Sequence, residues 1–312
     1  MSSSERGVDV LVVGPGAMGC LHAALLAEGG ARVGLLDHRP ERAARIAARG
    51  ISLERDGAVS EAPIACSADA GDFHPARIIL ILVKAWATAE ATRHALPAAG
   101  EDTLVLTLQN GLGNWERIAQ VIPAERVLAG TTSTGATLLD EGVVRLAGMG
   151  RTLLGSPAGR SDRARQAAEL LSASGVPAEA VEDVESALWT KAIVNAAINP
   201  LTALTRRRNG ELLEDEGLRA TLALVADEAA AVARACGAEV PVDMASVVEE
   251  VCRQTSTNRS SMLQDMLAGR RTEIDFINGE IARRGVGGGV SAPLCTALTA
   301  LIRDIEQRRM NT

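Results

Sequence analysis

Near the start of the chain an unbroken apolar run, Val8 to Val13, ends in Gly14-Pro15-Gly16-Ala17-Met18-Gly19, and an Ala/Leu-rich segment continues to Glu28. No other feature so narrows what the chain can fold into. A continuous apolar run closed by glycine reads as a buried parallel strand, and the segment after it as a helix. Each glycine of the GxGxxG spacing then has its own task. Gly14 permits a tight turn, Gly16 lets backbone approach a ligand, and Gly19 lets the helix lie close against the strand. The helix start offers free N–H groups and the positive end of a dipole, a setting for an anion. In this context Gly14, Gly16, Ala17, Met18 and Gly19 read as a dinucleotide loop around a pyrophosphate. The bland alternative is a glycine-rich turn without a ligand.

The rest of the first half repeats the alternation. Gly29-Gly30 closes the first helix. A second strand is predicted over 31–36 and a second helix over 40–49, with proline in its first turn. Strands over 78–83 and 103–108 are separated by a helix over 86–96. Such alternation implies a doubly wound parallel sheet. Over 127–154 the pattern turns to shorter strands and turns rich in Gly and Thr. The second half reads as helices over 184–199, 217–236, 244–255, 260–268, 272–284 and 293–307, each with one apolar face. Residues 285–289 read as a glycine-rich hinge or loop. The boundary is placed near Glu182, giving domains 1–182 and 183–312.

Composition removes several classes of function. Of 312 residues, 47% are hydrophobic and 23% charged, which suits folded domains and not a disordered chain. The net charge is -7 with no basic block, so no nucleic-acid or anionic-membrane partner is expected. Residues 1–7 are polar, read as a frayed end, and lack the apolar run of a signal peptide. Runs such as 78–83 are far shorter than a membrane span. Together these lead to the expectation of a soluble, cytoplasmic protein. Five cysteines without CxxC spacing suit free thiols in a reducing compartment, and four histidines show no ligand spacing, so no metal is expected. The chain has no tyrosine, which excludes a catalytic Tyr-Lys pair.

Polar residues gather where packing does not ask for them. Asp37, His38 and Arg39 end the second strand, where an acid bonds the ribose hydroxyls of NAD and a nearby arginine accommodates the 2′-phosphate of NADP. Both types are present, so Asp37 favours NAD, while His38 and Arg39 favour NADP. Lys84 and Asn110 stand at ends of buried strands, the edge where open α/β sheets bind ligands. As alternatives, Lys84 snorkels to water and Asn110-Gly111 is an ordinary turn. Lys191, Asn195 and Asn199 are spaced i, i+4, i+8 in an Ala/Ile/Val helix, forming one row. A buried row of an amine and two amides needs polar partners, and a 2-oxo acid would supply them. Lys191 would then donate a proton to the developing alkoxide, its pKa lowered by burial. A polar stripe bonding a neighbouring helix is the alternative. Ser260 or Ser261 reads as a helix cap, Thr272 as another, with Glu273 and Asp275 as first-turn acids.

In order along nearly the whole chain, these motifs resemble the ketopantoate reductase (2-dehydropantoate 2-reductase) family. They are the glycine loop, VKAW at Val83 to Trp86, QNGLG at Gln109 to Gly113 and GTTSTGAT at Gly130 to Thr137. LWTKAIVNAAINPLTAL follows at Leu188 to Leu204, NRSSMLQDM at Asn258 to Met266 and TEIDFING at Thr272 to Gly279. The resemblance implies a Rossmann domain followed by an all-helical domain, with the active site in the cleft between them. It implies Lys191 as general acid and Glu273 as its partner carboxylate. Asn195, Asn199 and Ser261 are then substrate ligands, assisted by Asn258, with Asn110 and Lys84 near nicotinamide and substrate. Hydride would pass from NADPH, or from NADH given Asp37, to the 2-carbonyl carbon of a small 2-oxo acid. Two rival readings are a family member acting on a different 2-oxo acid and a non-catalytic NADP(H) sensor. A homodimer is the base-rate assembly.

Overall fold

A computed structural model describes residues 7–310; the first six residues, on which most of the frayed-end expectation falls, lie outside the described residues. The chain divides into two compact units. One comprises the residues up to Gln109 with Asn114–Val184, the other Asn110–Gly113 with the residues from Glu185 onward.

In the first unit the chain runs β1 (Val8–Val13), α1 (Ala17–Glu28), β2 (Val33–Leu36), α2 (Pro40–Arg49), β3 (Ile51–Arg55), β4 (Ala58–Ala62) and β5 (Ala65–Ser67). It continues with β6 (Ala76–Ile81), α3 (Thr88–Ala95), β7 (Ala99–Thr107), α4 (Asn114–Ala119), β8 (Val127–Thr132), β9 (Gly135–Asp140) and β10 (Val143–Gly148). It closes with β11 (Thr152–Gly155), α5 (Ser161–Ala173) and β12 (Ala178–Ala180). Eight strands form the main sheet in the order β12-β11-β8-β7-β6-β1-β2-β5. All neighbours are parallel except β8 and β11. From β1 the chain winds outward to β5, then returns to β6 on the other side of β1. The direction of winding therefore reverses between β1 and β6, the place where open sheets leave a crevice at their carboxyl ends.

Alternation along β1 feeds two cores. Val10 and Val12 join a cluster with α1 and α5, while Leu11 and Val13 face a cluster that includes Ile118 of α4 and Ala95 of α3. A smaller sheet, β4-β3-β10-β9, was not anticipated over 51–62. Its β3–β4 hairpin turns on Asp56 and Gly57, both at positive φ (52° and 80°), as a two-residue hairpin loop of matching twist requires. Ile51, Leu53 and Val144 of this sheet share a core with Leu21 and Leu25, so α1 lies between two sheets and is apolar all round.

The second unit is helical: α6 (Val184–Thr205, whose first residue belongs to the first unit), α7 (Glu216–Ala235), α8 (Met244–Gln254), α9 (Ser261–Leu267), α10 (Asn278–Gly287) and α11 (Pro293–Met310). Three expectations are corrected here. The helix expected to stop at Asn199 continues through Pro200 to Thr205. The helix expected over 272–284 is broken: a short 3-10 turn, Ile274–Phe276, precedes α10, which begins only at Asn278. The glycine-rich loop at 285–289 is largely helical, since α10 runs through Gly287 and ends where Val290 N donates to the Gly285 carbonyl at 2.8 Å.

Candidate functional site

In the first unit, the glycines of the loop after β1 meet different demands. Gly14 has φ +102°, and a Cβ there would lie 2.7 Å from Val83 Cγ1. At Gly19 a Cβ would lie 1.8 Å from the Gly14 carbonyl oxygen. The fold alone therefore requires both. Gly16 has φ -79°, and a Cβ there would meet nothing within 4 Å. Gly16 is exposed and caps α1 without any side-chain hydrogen bond, and the first turn carries no acid. The N–H groups that open α1, at Ala17, Met18 and Gly19, have no helical acceptors of their own. Open space over a glycine at an uncapped helix start fits the pyrophosphate of a dinucleotide.

The neighbouring strand ends are stitched together. Gln109 Nε2 donates to the Val83 carbonyl (2.7 Å) and to Thr88 Oγ1 (2.9 Å), while its Oε1 accepts from Thr107 Oγ1 (2.8 Å). This fixes the backbone leading into half-buried Lys84. Sequence reading gave Gln109 no task, because its partners are distant in sequence. Asp37, at the end of β2, is buried. Arg42 of α2 donates to both of its oxygens, through Nε and through Nη2 (2.7 Å). Arg39 N (3.2 Å) and His38 Nδ1 (3.4 Å) approach Asp37 Oδ1, while the side chains of His38 and Arg39 are exposed. Arg42 went unnoticed in the sequence, although five residues along a strand-to-helix turn is a reachable spacing.

In the second unit, α6 carries Lys191 and Asn195, both half-buried, and Asn199, buried, in one row. Burial pushes the Lys191 pKa down to about 8, opposed by the charge of Glu273, which raises it. Glu273 is buried and precedes the 3-10 turn instead of opening a helix. Thr272 is therefore no α-helix cap, and its Oγ1 accepts from Ile274 N at 3.3 Å. Asp275 is no first-turn acid of an α-helix either, and pairs with Arg271 (3.0 Å) and Arg303 (2.5 Å). With the turn in place, the Glu273 carboxylate acts on Lys191.

The loop Asn110–Gly113 hangs on the same turn, Leu112 N donating to the Phe276 carbonyl at 2.9 Å. Gly111, at φ +85°, has no room for a Cβ, which would lie 2.3 Å from that carbonyl oxygen. Asn110 is half-buried there. Ser260, not Ser261, caps α9: its Oγ accepts from Leu263 N (3.1 Å) and lies 2.6 Å from Thr202 Oγ1. Thr202 in turn donates to the Asn199 carbonyl at 2.8 Å, so α9 starts beside the Asn199 turn of α6. Ser261 and Asn258 are exposed. The structure thus brings Lys191 and Glu273 together and gathers the Asn110 loop onto the Glu273 segment. Among the described residues no group of three His, Cys, Asp or Glu side chains could hold a metal, and no helix is long and apolar enough to cross a membrane.

Comparison with known proteins covers most of the chain. The family model described as ketopantoate reductase PanE/ApbA matches residues 10–159, and that for its C-terminal part matches residues 183–306. A 2-dehydropantoate 2-reductase of Archaeoglobus fulgidus is 38% identical over 299 residues, 95% of this chain and 97% of that protein. The crystal structure of a PanE/ApbA family ketopantoate reductase from Ralstonia eutropha JMP134 superposes with a TM-score of 0.87 at 33% identity, covering 96% of this chain and 99% of that one. D-mandelate dehydrogenase, in a ternary structure with NADH and anilino(oxo)acetate, superposes with a TM-score of 0.91 at 28% identity and the same coverage. With both family models matched over most of its length, this chain belongs to the ketopantoate reductase family.

Proposed function

We infer that this protein reduces 2-dehydropantoate to pantoate, with NADPH as the reductant. The observation that carries the reading is Lys191, an amine held on an apolar helix beside a buried carboxylate, with its pKa brought down to about 8. Bound at the glycine loop, a reduced nicotinamide dinucleotide supplies the hydride for the 2-carbonyl carbon. The ammonium of Lys191 donates its proton to the carbonyl oxygen as that oxygen gains charge, so C=O becomes CH–OH with one hydride and one proton taken up. The Glu273 carboxylate favours the protonated amine before transfer. The amides of Asn195 and Asn199 hold the substrate carboxylate and carbonyl, with Ser261, Asn258 and Asn110 as further ligands. Gly14, Gly16, Ala17, Met18, Gly19 and Lys84 hold the dinucleotide. The domain assignment is likewise 1–182 for the dinucleotide and 183–312 for the substrate.

The choice of NADPH is supported by the end of β2. Arg42 neutralises the Asp37 carboxylate, and His38 and Arg39 stand exposed beside it, a charge balance that suits a 2′-phosphate. The deciding experiment is absorbance at the nicotinamide band, with NADPH and with NADH, across a panel of 2-oxo acids. Turnover of ketopantoate with a preference for NADPH is expected. The likeness to D-mandelate dehydrogenase favours a second reading, a different 2-oxo acid as substrate. Turnover confined to such an acid selects that reading, and NADPH binding without reduction of any 2-oxo acid overturns both. The free, scattered cysteines support a cytoplasmic setting. A twofold homodimer is the assembly we assign, to be checked by sedimentation.

A further inference from the structure

Pro200 stands inside α6, and proline has no N–H to give the carbonyl four residues back. That carbonyl belongs to Ala196, in the buried stretch between Asn195 and Asn199. Asn278, the first residue of α10, supplies a donor in its place. Its Nδ2 lies 3.0 Å from the Ala196 oxygen and 3.9 Å from Cys295 Sγ. Asn278 is 0% exposed, and its Oδ1 has no hydrogen-bond partner among the described residues. Burying an amide with half its capacity unmet is unfavourable compared with an apolar side chain of similar shape. The fold accepts that penalty for one donor aimed at one carbonyl.

What makes this bond matter is the carboxylate five residues before it. From Glu273 to Asn278 the chain is a tight turn, with Phe276 N and Ile277 N donating to the Glu273 carbonyl at 3.0 and 3.1 Å. Thr272 N, bonded to Glu306 Oε1 (2.6 Å), fastens the turn to α11, and the Phe276 carbonyl fastens it to the Asn110 loop. The Asn278 bond fastens it to α6, the helix that carries Lys191. We propose that Asn278 is a positioning residue: by donating to the carbonyl that Pro200 leaves open, it sets the spacing between α6 and the Glu273 turn, and with it the approach of the Glu273 carboxylate to the Lys191 amine. The proposal rests on the reading of Lys191 and Glu273 as proton donor and partner carboxylate.

The test uses N278L and the double variant N278L/P200A in the full chain. Acetylation of Lys191 by acetic anhydride is followed against pH by peptide mass spectrometry, beside thermal melts and steady-state kinetics. Glu273 is the charged group that acts on Lys191, and burial remains when it withdraws. The acetylation midpoint is therefore expected to fall by about one pH unit in both variants. The melting temperature is expected to fall in N278L and to recover in the double variant, where residue 200 again offers an N–H to Ala196. The kcat for the 2-oxo acid is expected to drop about tenfold in both, with KM changing less. A midpoint that returns to the parent value with the stability would reduce the bond to a structural one and overturn the proposal, as would an unchanged midpoint in both variants. Should N278L fail to fold, the double variant decides alone. Should the parent reduce no 2-oxo acid while the midpoint still falls, the functional reading fails and the positioning role stands.

Discussion

Lys191 loses hydration on α6, and lost hydration penalises the ammonium, not the amine. In the unfolded chain this lysine stays charged up to about 10.5, in the folded one only up to about 8. Below about 8 both states are protonated and the penalty on folding is present in full. Between about 8 and 10.5 the unfolded state holds more protons, so stability rises with pH across that window. Lys191→Met/Glu273→Gln, which removes the desolvated ammonium without stranding the buried Glu273 carboxylate, is therefore expected to melt higher than the parent at neutral pH, while the kcat of Lys191→Met falls by about 10²–10⁴-fold. Calorimetry at pH 7 with steady-state assays checks both halves, and a lower melting temperature would show that the amine is not the strained partner. In the parent, kcat is expected to decline as pH rises past about 8, since the proton donor is then lost. The orphaned Oδ1 of Asn278 is a second local penalty of this kind, about 1–3 kcal/mol for a buried polar group without a partner.

At the scale of elements, the turn between β1 and α1 separates folding from binding. Gly19→Ala drives a methyl into the Gly14 carbonyl and is expected to abolish folding, whereas Gly16→Ala, with open space and an ordinary φ, is expected to melt like the parent. Dinucleotide titration by fluorescence should then show Gly16→Ala weakened by at least about tenfold, because only a ligand can object to that methyl. Undiminished binding would remove the loop from the cofactor site. Arg42→Ala, which strands the buried Asp37 carboxylate, is expected to destabilise by about 3 kcal/mol in denaturant titration. Elements held by local signals were legible in the sequence: β1 from its apolar run, and α2 at Pro40–Arg49 from its N-terminal proline. The rest depended on partners far along the chain. Strand β3 is completed by β10, some ninety residues later, though the Asp56-Gly57 pair already marked its hairpin. Helix α6 runs past Pro200 with the Ala196 carbonyl served by Asn278 from α10. For the same reason Glu273 read as a first-turn acid until its turn was seen. The lysine–amide row needed only helical periodicity, and so it was visible from the start.

For the molecule as a whole, none of the five cysteines forms a disulfide. Burial pushes Cys20 and Cys66 to about 12 and Cys252 to about 11, and pushes Cys295 up as well, while Cys236 is exposed. Iodoacetamide at neutral pH is expected to modify Cys236 first and by at least about tenfold over the others, because the thiolate is the reactive form. Mass spectrometry of a time course decides the order. The placement of α1 between two sheets has a consequence of its own. Both flanks of that helix are clamped by side chains of separate β layers, so its amide-bearing tip is rigid before any phosphate arrives. Docking a dinucleotide there should entail little reordering of the polypeptide. Isothermal calorimetry on the glycine-loop step should accordingly register a small heat-capacity change, that of the ligand's own desolvation.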